Sequence, residues 1–278
     1  MKSLFFSRTI EIITGILLII AIIWSFFPIL LIVTSSFTSP DKLFSFPPTI
    51  LSKPTLVNYS NLLIEWPKFF DSLINSVITT IGAVILTAVV CLPAAYSLSR
   101  YKNKFTYSCG MLGIIIRMFP PIIITIPLFP ILQQTGLVDN SLVLIFLYTS
   151  FYLSLGQWVL KNFIDTIPIE FEEAAAIEGA SNKWTFFKII VPLSSSGVVS
   201  ISILVAIFAW NEFMFAFLFT SYKAVTAPVV LNEMLGAMFG VSWGPLFAAT
   251  TLQLVPILTF IWLVQKLLVS GMAHAVGK

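Results

Sequence analysis

The 278 residues are 58% hydrophobic and only 10% charged, with a mean hydropathy of +1.00. That balance excludes a soluble globular domain and describes a polytopic membrane protein. The formal net charge of +3 is spread over many loops rather than gathered in an aromatic-rich groove, which argues against a nucleic-acid partner.

The first predicted span covers residues 12–34, an uncharged stretch long enough for a hydrocarbon core that needs about 20 apolar residues. Lys2 and Arg8 precede it as a signal peptide's basic start would. The apolar run is too long for one, however, and lacks a small-residue cleavage signature, so the span is expected to be retained. From Ser35 to Phe69 the chain turns polar, and Pro40, Pro47, Pro48 and Pro54 discourage regular helix, predicting a loop with short helical pieces at most. A second span, 70–98, runs into the basic cluster Arg100, Lys102 and Lys104. The third, 107–132, is interrupted by Pro120, Pro121, Pro127 and Pro130, so kinks are expected. Span four occupies 141–160. Span five, 193–219, contains the polar interruption Trp210-Asn211-Glu212, and span six covers 246–268 with Pro256 inside.

Six crossings place both termini on one side, and the lysine and arginine bias says which. Ten basic residues (Lys2, Arg8, Arg100, Lys102, Lys104, Lys161, Lys183, Lys188, Lys266 and Lys278) then fall on the cytoplasmic side, against four outside (Lys42, Lys53, Lys68 and Lys223). The termini and the loop 168–192 are therefore expected in the cytoplasm.

That loop, PIEFEEAAAIEGASNKWTFFKIIVP, is the one long, strongly charged segment, and its composition reads as two short helices with a break. Pro168 suits a first turn, and Glu170, Glu172 and Glu173 suit the positive end of a helix dipole. Gly179 ends that helix, and Ser181 or Asn182 caps the next. Two readings stand side by side: an ordinary interfacial hairpin between spans, or a docking element for something soluble.

Ionisable groups inside a span must pair, face a polar cavity or snorkel. Arg117 therefore either packs against polar groups of a neighbour or partner subunit, or lines a pathway. Trp210, Asn211 and Glu212 can form a stacking and hydrogen-bonding surface for a sugar, or act as polar glue at a subunit interface. Cys91 and Cys109 fall in or beside spans and read as packing residues, not as a disulfide framework or metal site. There is no Gly-rich phosphate loop, and the sole histidine, His274, lies in the tail, so neither an ATPase nor a metal or triad enzyme is indicated.

Glu173-Ala174-Ala175, Gly179-Ala180, Phe186, Ile189 and Pro192 resemble the EAA motif of ABC importer permeases. NSVITT at 75–80, AAYSLSR at 94–100, the proline-rich run 118–137 and AWNEF at 209–213 are similar to the carbohydrate-importer branch, most of all to the shorter, six-span subunit of maltodextrin-type pairs. The resemblance covers most of the chain, and the order and spacing of its motifs are more specific than any one of them. It implies the all-α, six-helix type I importer permease fold as a single domain. It also implies a cytoplasmic coupling helix over 168–192, with Glu172, Glu173, Ala174, Ala175, Glu178, Gly179 and Ala180 as coupling residues.

The implied partners are a second homologous permease, two copies of a cytoplasmic ABC ATPase that bind ATP and Mg2+, and an extracytoplasmic solute-binding protein. This chain itself would bind no cofactor. The solute is a sugar or oligosaccharide, or another polar solute such as a polyol or phosphodiester. In the resembled maltodextrin system the membrane sugar site lies mainly in the other permease, which favours the interface role for Glu212. A secondary transporter would show membrane carboxylates or matched inverted repeats, and the sequence has few of the former and no evident halves. A membrane scaffold is the third class. The tail AHAVGK departs from the family's common ending, which leaves a tail contact with the ATPase less supported.

Overall fold

The computed structural model describes residues 2–46, 53–237 and 240–276, with side chains described for 11–46, 53–237 and 240–264. The side chains of Lys2, Arg8, Lys266 and His274, and residues Pro47, Pro48 and Lys278, named above for topology, loop and tail, lie outside these limits. All regular structure among the described residues is helical.

The chain runs through α1 (Lys2–Ser36), a 3-10 turn (Pro40–Lys42), α2 (Val57–Glu65), α3 (Lys68–Arg100), α4 (Lys104–Met118), α5 (Pro121–Gln134) and α6 (Ser141–Asp165). Then follow α7 (Glu170–Ile177), α8 (Asn182–Thr185), a π-helical turn (Phe186–Ile190), α9 (Val191–Leu193), α10 (Ser195–Trp210), α11 (Met214–Phe219), α12 (Ala227–Leu235) and α13 (Trp243–Val276). Four helices are long and apolar enough to cross a membrane, or up to six if each of two bent pairs counts as one span.

Those bends are where the structure refines the predicted spans. The third is two helices, α4 and α5, turned 94° from one another. Consecutive prolines explain the corner: Phe119 (ψ 135°) and Pro120 (ψ 137°) are both extended, as residues preceding proline must tend to be. The fifth starts earlier in the chain, bends by 67° at Ser194 between α9 and α10, and stops at Trp210, so that α11 (Met214–Phe219) forms a separate short helix.

The contacts fall into two units, Met1–Phe69 with Leu231–Val255, and Phe70–Val230 with Pro256–Lys278. In the first, no described residue of α1 before Ser36 is buried, so an apolar helix turns its side chains outward along its length, as lipid or another membrane protein requires. Its C-terminus is held by the fully buried Asn58, whose Nδ2 donates to the carbonyls of Ser36 (2.9 Å) and Thr38 (2.7 Å). The hydroxyls of Ser36 and Tyr59 share a further bond of 2.9 Å. Carbonyls at and just beyond the helix end, which have no intrahelical partner, are thereby satisfied by α2.

In the second unit α6 is the central strut, packed by α4, α10 and α11. Leu144, Tyr148, Tyr152, Gly156, Leu160 and Ile164 are all buried, an unbroken i+4 row along one face. At Gly156 the row comes close to its neighbours. A Cβ there would meet Cys91 Sγ at 2.5 Å and Ile201 Cγ1 at 3.1 Å, so only hydrogen lets α3 and α10 approach α6 so closely. Cys91 is a packing residue with its Sγ 3.4 Å from the Leu153 carbonyl, whereas Cys109 is exposed.

Candidate functional site

At the end of α6 that the charge bias assigns to the cytoplasm, Pro168 and Ile169 lead into α7, whose first turn carries Glu170, Glu172 and Glu173. Of the three, Glu172 turns inward. Its Oε1 accepts from Arg100 Nε at 2.5 Å and its Oε2 from the Tyr96 hydroxyl at 2.6 Å. Arg100 also donates through Nη2 to the Ile167 carbonyl (2.9 Å) and through Nη1 to Ser99 Oγ (3.2 Å). Ser99 Oγ donates to Asp165 (2.6 Å), which also pairs with Lys161 (2.5 Å). The Arg100 and Glu172 side chains are 13% and 14% exposed, so solvent screens their attraction far less than at a surface pair. One charged network thus ties α7 to the ends of α3 and α6. The Tyr96 ring adds a contact with Phe186, 5.2 Å between centroids.

α7 ends in a tight left-handed turn. Gly179 has φ +85°, with Ala180 N–H donating to the Ala175 carbonyl (2.9 Å) and Gly179 N–H to that of Ala176 (3.0 Å), the paired bonds of a Schellman cap. A Cβ at Gly179 would meet nothing within 4 Å, so backbone conformation, not space within this chain, calls for glycine. Ser181 then caps α8 by accepting from Trp184 N–H at 3.3 Å.

The seven residues expected to couple are divided by the structure. Glu172 and Ala175 face the protein and Ala180 is half-buried, while Glu173, Ala174, Glu178 and Gly179 are exposed. Around them the hairpin exposes large apolar side chains: Ile177 is 88% exposed, Phe187 64% and Trp184 51%.

The other expected site residues do not form one constellation. Trp210 is buried and lines an apolar cavity of about 230 Å³ with Val77, Ile81, Ala206, Pro256 and Phe260. Asn211 is exposed and donates back to the Ile207 carbonyl at 2.8 Å. Glu212 accepts from the N–H groups of Phe215 (2.8 Å) and Ala216 (3.2 Å), satisfying the start of α11 within its own chain. Arg117, in the last turn of α4, lies over the Phe151 ring, 5.8 Å from its centroid.

Two features escape the sequence reading. The Arg100 tether was legible in part, since Tyr96 and Arg100 stand four apart and so share a face of α3. The second lies at the far end of α6. Asp139, with φ +62°, accepts from four consecutive backbone N–H groups, Ser221 (3.1 Å), Tyr222 (3.2 Å), Lys223 (2.8 Å) and Ala224 (3.0 Å), and its own N–H donates to the Phe219 carbonyl (2.8 Å). Burial pushes the Asp139 carboxyl up, but the backbone donors outweigh it and hold the group below its ordinary value. Asn75 fastens the same loop by donating to the carbonyls of Lys223 (2.8 Å) and Val225 (3.0 Å).

A helical membrane protein with bent spans and a two-helix hairpin tethered to its transmembrane helices has the architecture of a transporter permease. Over residues 91–274 the chain matches the family described as binding-protein-dependent transport system inner membrane component, and it belongs to that family. It is therefore a multi-pass inner-membrane permease subunit of an ABC importer, the translocating component and not the ATPase.

Among its relatives, the trehalose/maltose transport system permease protein MalG of Thermococcus litoralis is 34% identical over 270 residues, 94% of this chain and 96% of that protein. The trehalose transport system permease protein SugB of Mycobacterium tuberculosis is 35% identical over 233 residues, 81% and 84% of the two chains. In fold the chain is similar to one from a solved bacterial ABC transporter involved in the import of alginate. The TM-score is 0.79 at 22% identity, covering 93% of this chain and 96% of that one.

Proposed function

We propose that the hairpin 168–192 is the surface on which a cytoplasmic ATPase docks, and that the solute moved is a carbohydrate. One observation carries the docking reading: the hairpin is anchored inward by Glu172 and leaves Ile177, Trp184 and Phe187 exposed on an otherwise charged cytoplasmic loop. An ordinary interfacial hairpin needs no buried charge to fix its orientation. Glu173 and Glu178 present carboxylates to basic groups of the partner, Ala174 allows close approach, and Gly179 sets the turn. The working assembly is this chain, a second homologous permease, two ATPase copies holding ATP and Mg2+, and an external solute-binding protein.

Movement of the docked hairpin reaches the spans through Arg100 and Asp165, so that ATP binding favours one access state over the other. ATP shifts that equilibrium only as far as its binding energies in the two states differ. The carbohydrate assignment rests on relatives named for trehalose and maltose transport. It is tested by reconstituting the complex with its binding protein and measuring ATP hydrolysis against a panel of sugars, polyols and phosphodiesters. Stimulation by a mono- or oligosaccharide is expected. Stimulation by a polyol or phosphodiester alone would replace the carbohydrate reading while leaving the docking surface intact.

A further inference from the structure

Beside the tether, where α3 passes into α4, lies a cleft of about 710 Å³ whose walls include Arg100, Lys102, Lys104 and Lys161, with Tyr107 and Trp158. Four cations face Asp165, the one carboxylate lining it. Arg100 is engaged by Glu172 and Lys161 by Asp165, but Lys102 and Lys104 have no ion-pair partner among the described residues. An adjoining groove of about 400 Å³ shares Leu98, Tyr101 and Asn103 with the cleft and continues between the two helices past Ala94, Phe105, Cys109 and Gly110. The pair of cavities is amphiphilic, a basic chamber leading into a slot walled mostly by apolar and small side chains.

We propose that the cleft binds the phosphate headgroup of an anionic phospholipid of the cytoplasmic leaflet, with an acyl chain in the α3–α4 groove. Location and chemistry favour a lipid over a soluble anion. The cations stand at the end of two apolar helices, where a negative leaflet surface attracts juxtamembrane lysines, and Tyr107 and Trp158 are residue types that settle at the headgroup level. The apolar groove has no use for a free phosphate. Along α4 the exposed Phe105, Leu112 and Ile116 follow one another at helical spacing on one face and extend the apolar track beyond the slot. Because Arg100 belongs both to the cleft wall and to the Glu172 tether, lipid occupancy bears on the same arginine that holds the hairpin.

The test uses the intact complex extracted from membranes containing phosphatidylglycerol and phosphatidylcholine, with retained lipid counted by native mass spectrometry. Lys102→Gln with Lys104→Gln should lower retained phosphatidylglycerol by about fivefold for each lysine removed, and Lys102→Arg with Lys104→Arg should restore it. Lys53→Gln, outside the cleft, should change nothing. Cys109→Trp, which keeps every charge and fills the groove, should also lower retention. Unchanged phosphatidylglycerol in both the glutamine and the tryptophan variants overturns the proposal. Displacement of the lipid by inorganic phosphate alone would also overturn it, assigning the cleft to a soluble anion. So would loss of the ATPase with lipid retained, which would make the lysines part of the protein interface.

Discussion

The two ends of α6 treat their carboxylates and apolar groups in opposite ways. At one end Asp139 spends its acceptor capacity on the backbone of a single loop. At the other, Glu172 fixes the base of the hairpin while Glu173 and Glu178 point outward among exposed Ile177, Trp184 and Phe187. The first end fixes a loop within one subunit. The second is rigid where it meets the spans and unsatisfied where it meets the cytoplasm, the combination a docking and force-transmitting element requires.

The largest effect should come from breaking the tether. Arg100→Met takes the paired cation from the Glu172 carboxylate, which keeps only the Tyr96 hydroxyl, and removes the guanidinium donor from the Ile167 carbonyl, at a cost of about 3 kcal/mol. Uptake should fall sharply at matched membrane expression, and the thermal unfolding temperature of the purified complex should drop. A double-mutant cycle with Glu172→Gln should show coupling between the two sites; strict additivity would mean that the ion pair is not the link.

Asp139→Ala should cost about 2 kcal/mol, since four backbone donors lose a shared charged acceptor and alanine is poorly suited to the left-handed backbone. Uptake by the protein that does fold should be nearly unchanged, which separates this end from the end proposed to dock the ATPase. The pH dependence has a definite sign. Because the folded carboxyl is held below its ordinary value, its stabilisation is complete above the unfolded value of about 4 and is lost as pH falls through the lower folded value. The gap in unfolding temperature between wild type and Asp139→Ala should therefore be constant near neutrality and narrow at the acid end, where only the pH-independent backbone cost remains.

Gly179 sharpens the comparison at the cost of a single side chain. Valine at φ +85° should cost about 1–2 kcal/mol, whereas asparagine, which tolerates that backbone, should cost less. If the glycine serves only the turn, uptake should follow that order. If asparagine is as damaging as valine, the limit is close approach of the ATPase, since nothing in this chain lies near the added atom.

The smallest effect is expected at Glu212. Glu212→Gln keeps an acceptor for α11 and should be nearly silent, while Glu212→Leu should cost about 1 kcal/mol as a lost cap. Recovery of folded protein is the readout. A change of preferred solute with normal recovery would instead move this residue into the pathway.

Much of this was legible in the sequence because apolar length and proline act locally. The helical membrane architecture, the corner at Pro120 and Pro121, and the glycine stop at Gly179 each follow from a few consecutive residues. The inward turn of Glu172 was not legible, since Glu170, Glu172 and Glu173 are alike by composition and only the packing of α7 chooses among them. Trp210, Asn211 and Glu212 read as one polar cluster because they are adjacent in sequence, yet the helix end there sends each in a different direction. Asp139 was missed for the same physical reason: its partners are more than eighty residues away, and no local pattern marks a carboxylate that will be met by backbone.

The central claim, that the outward face of the hairpin is the ATPase docking surface, is tested most directly at Ile177. It is 88% exposed, so Ile177→Glu should leave the permease folded and in the membrane at wild-type level. ATPase copurification and solute uptake, measured together at matched expression, should both fall steeply. Normal uptake with the ATPase still bound would contradict the account and return residues 168–192 to an ordinary interfacial hairpin.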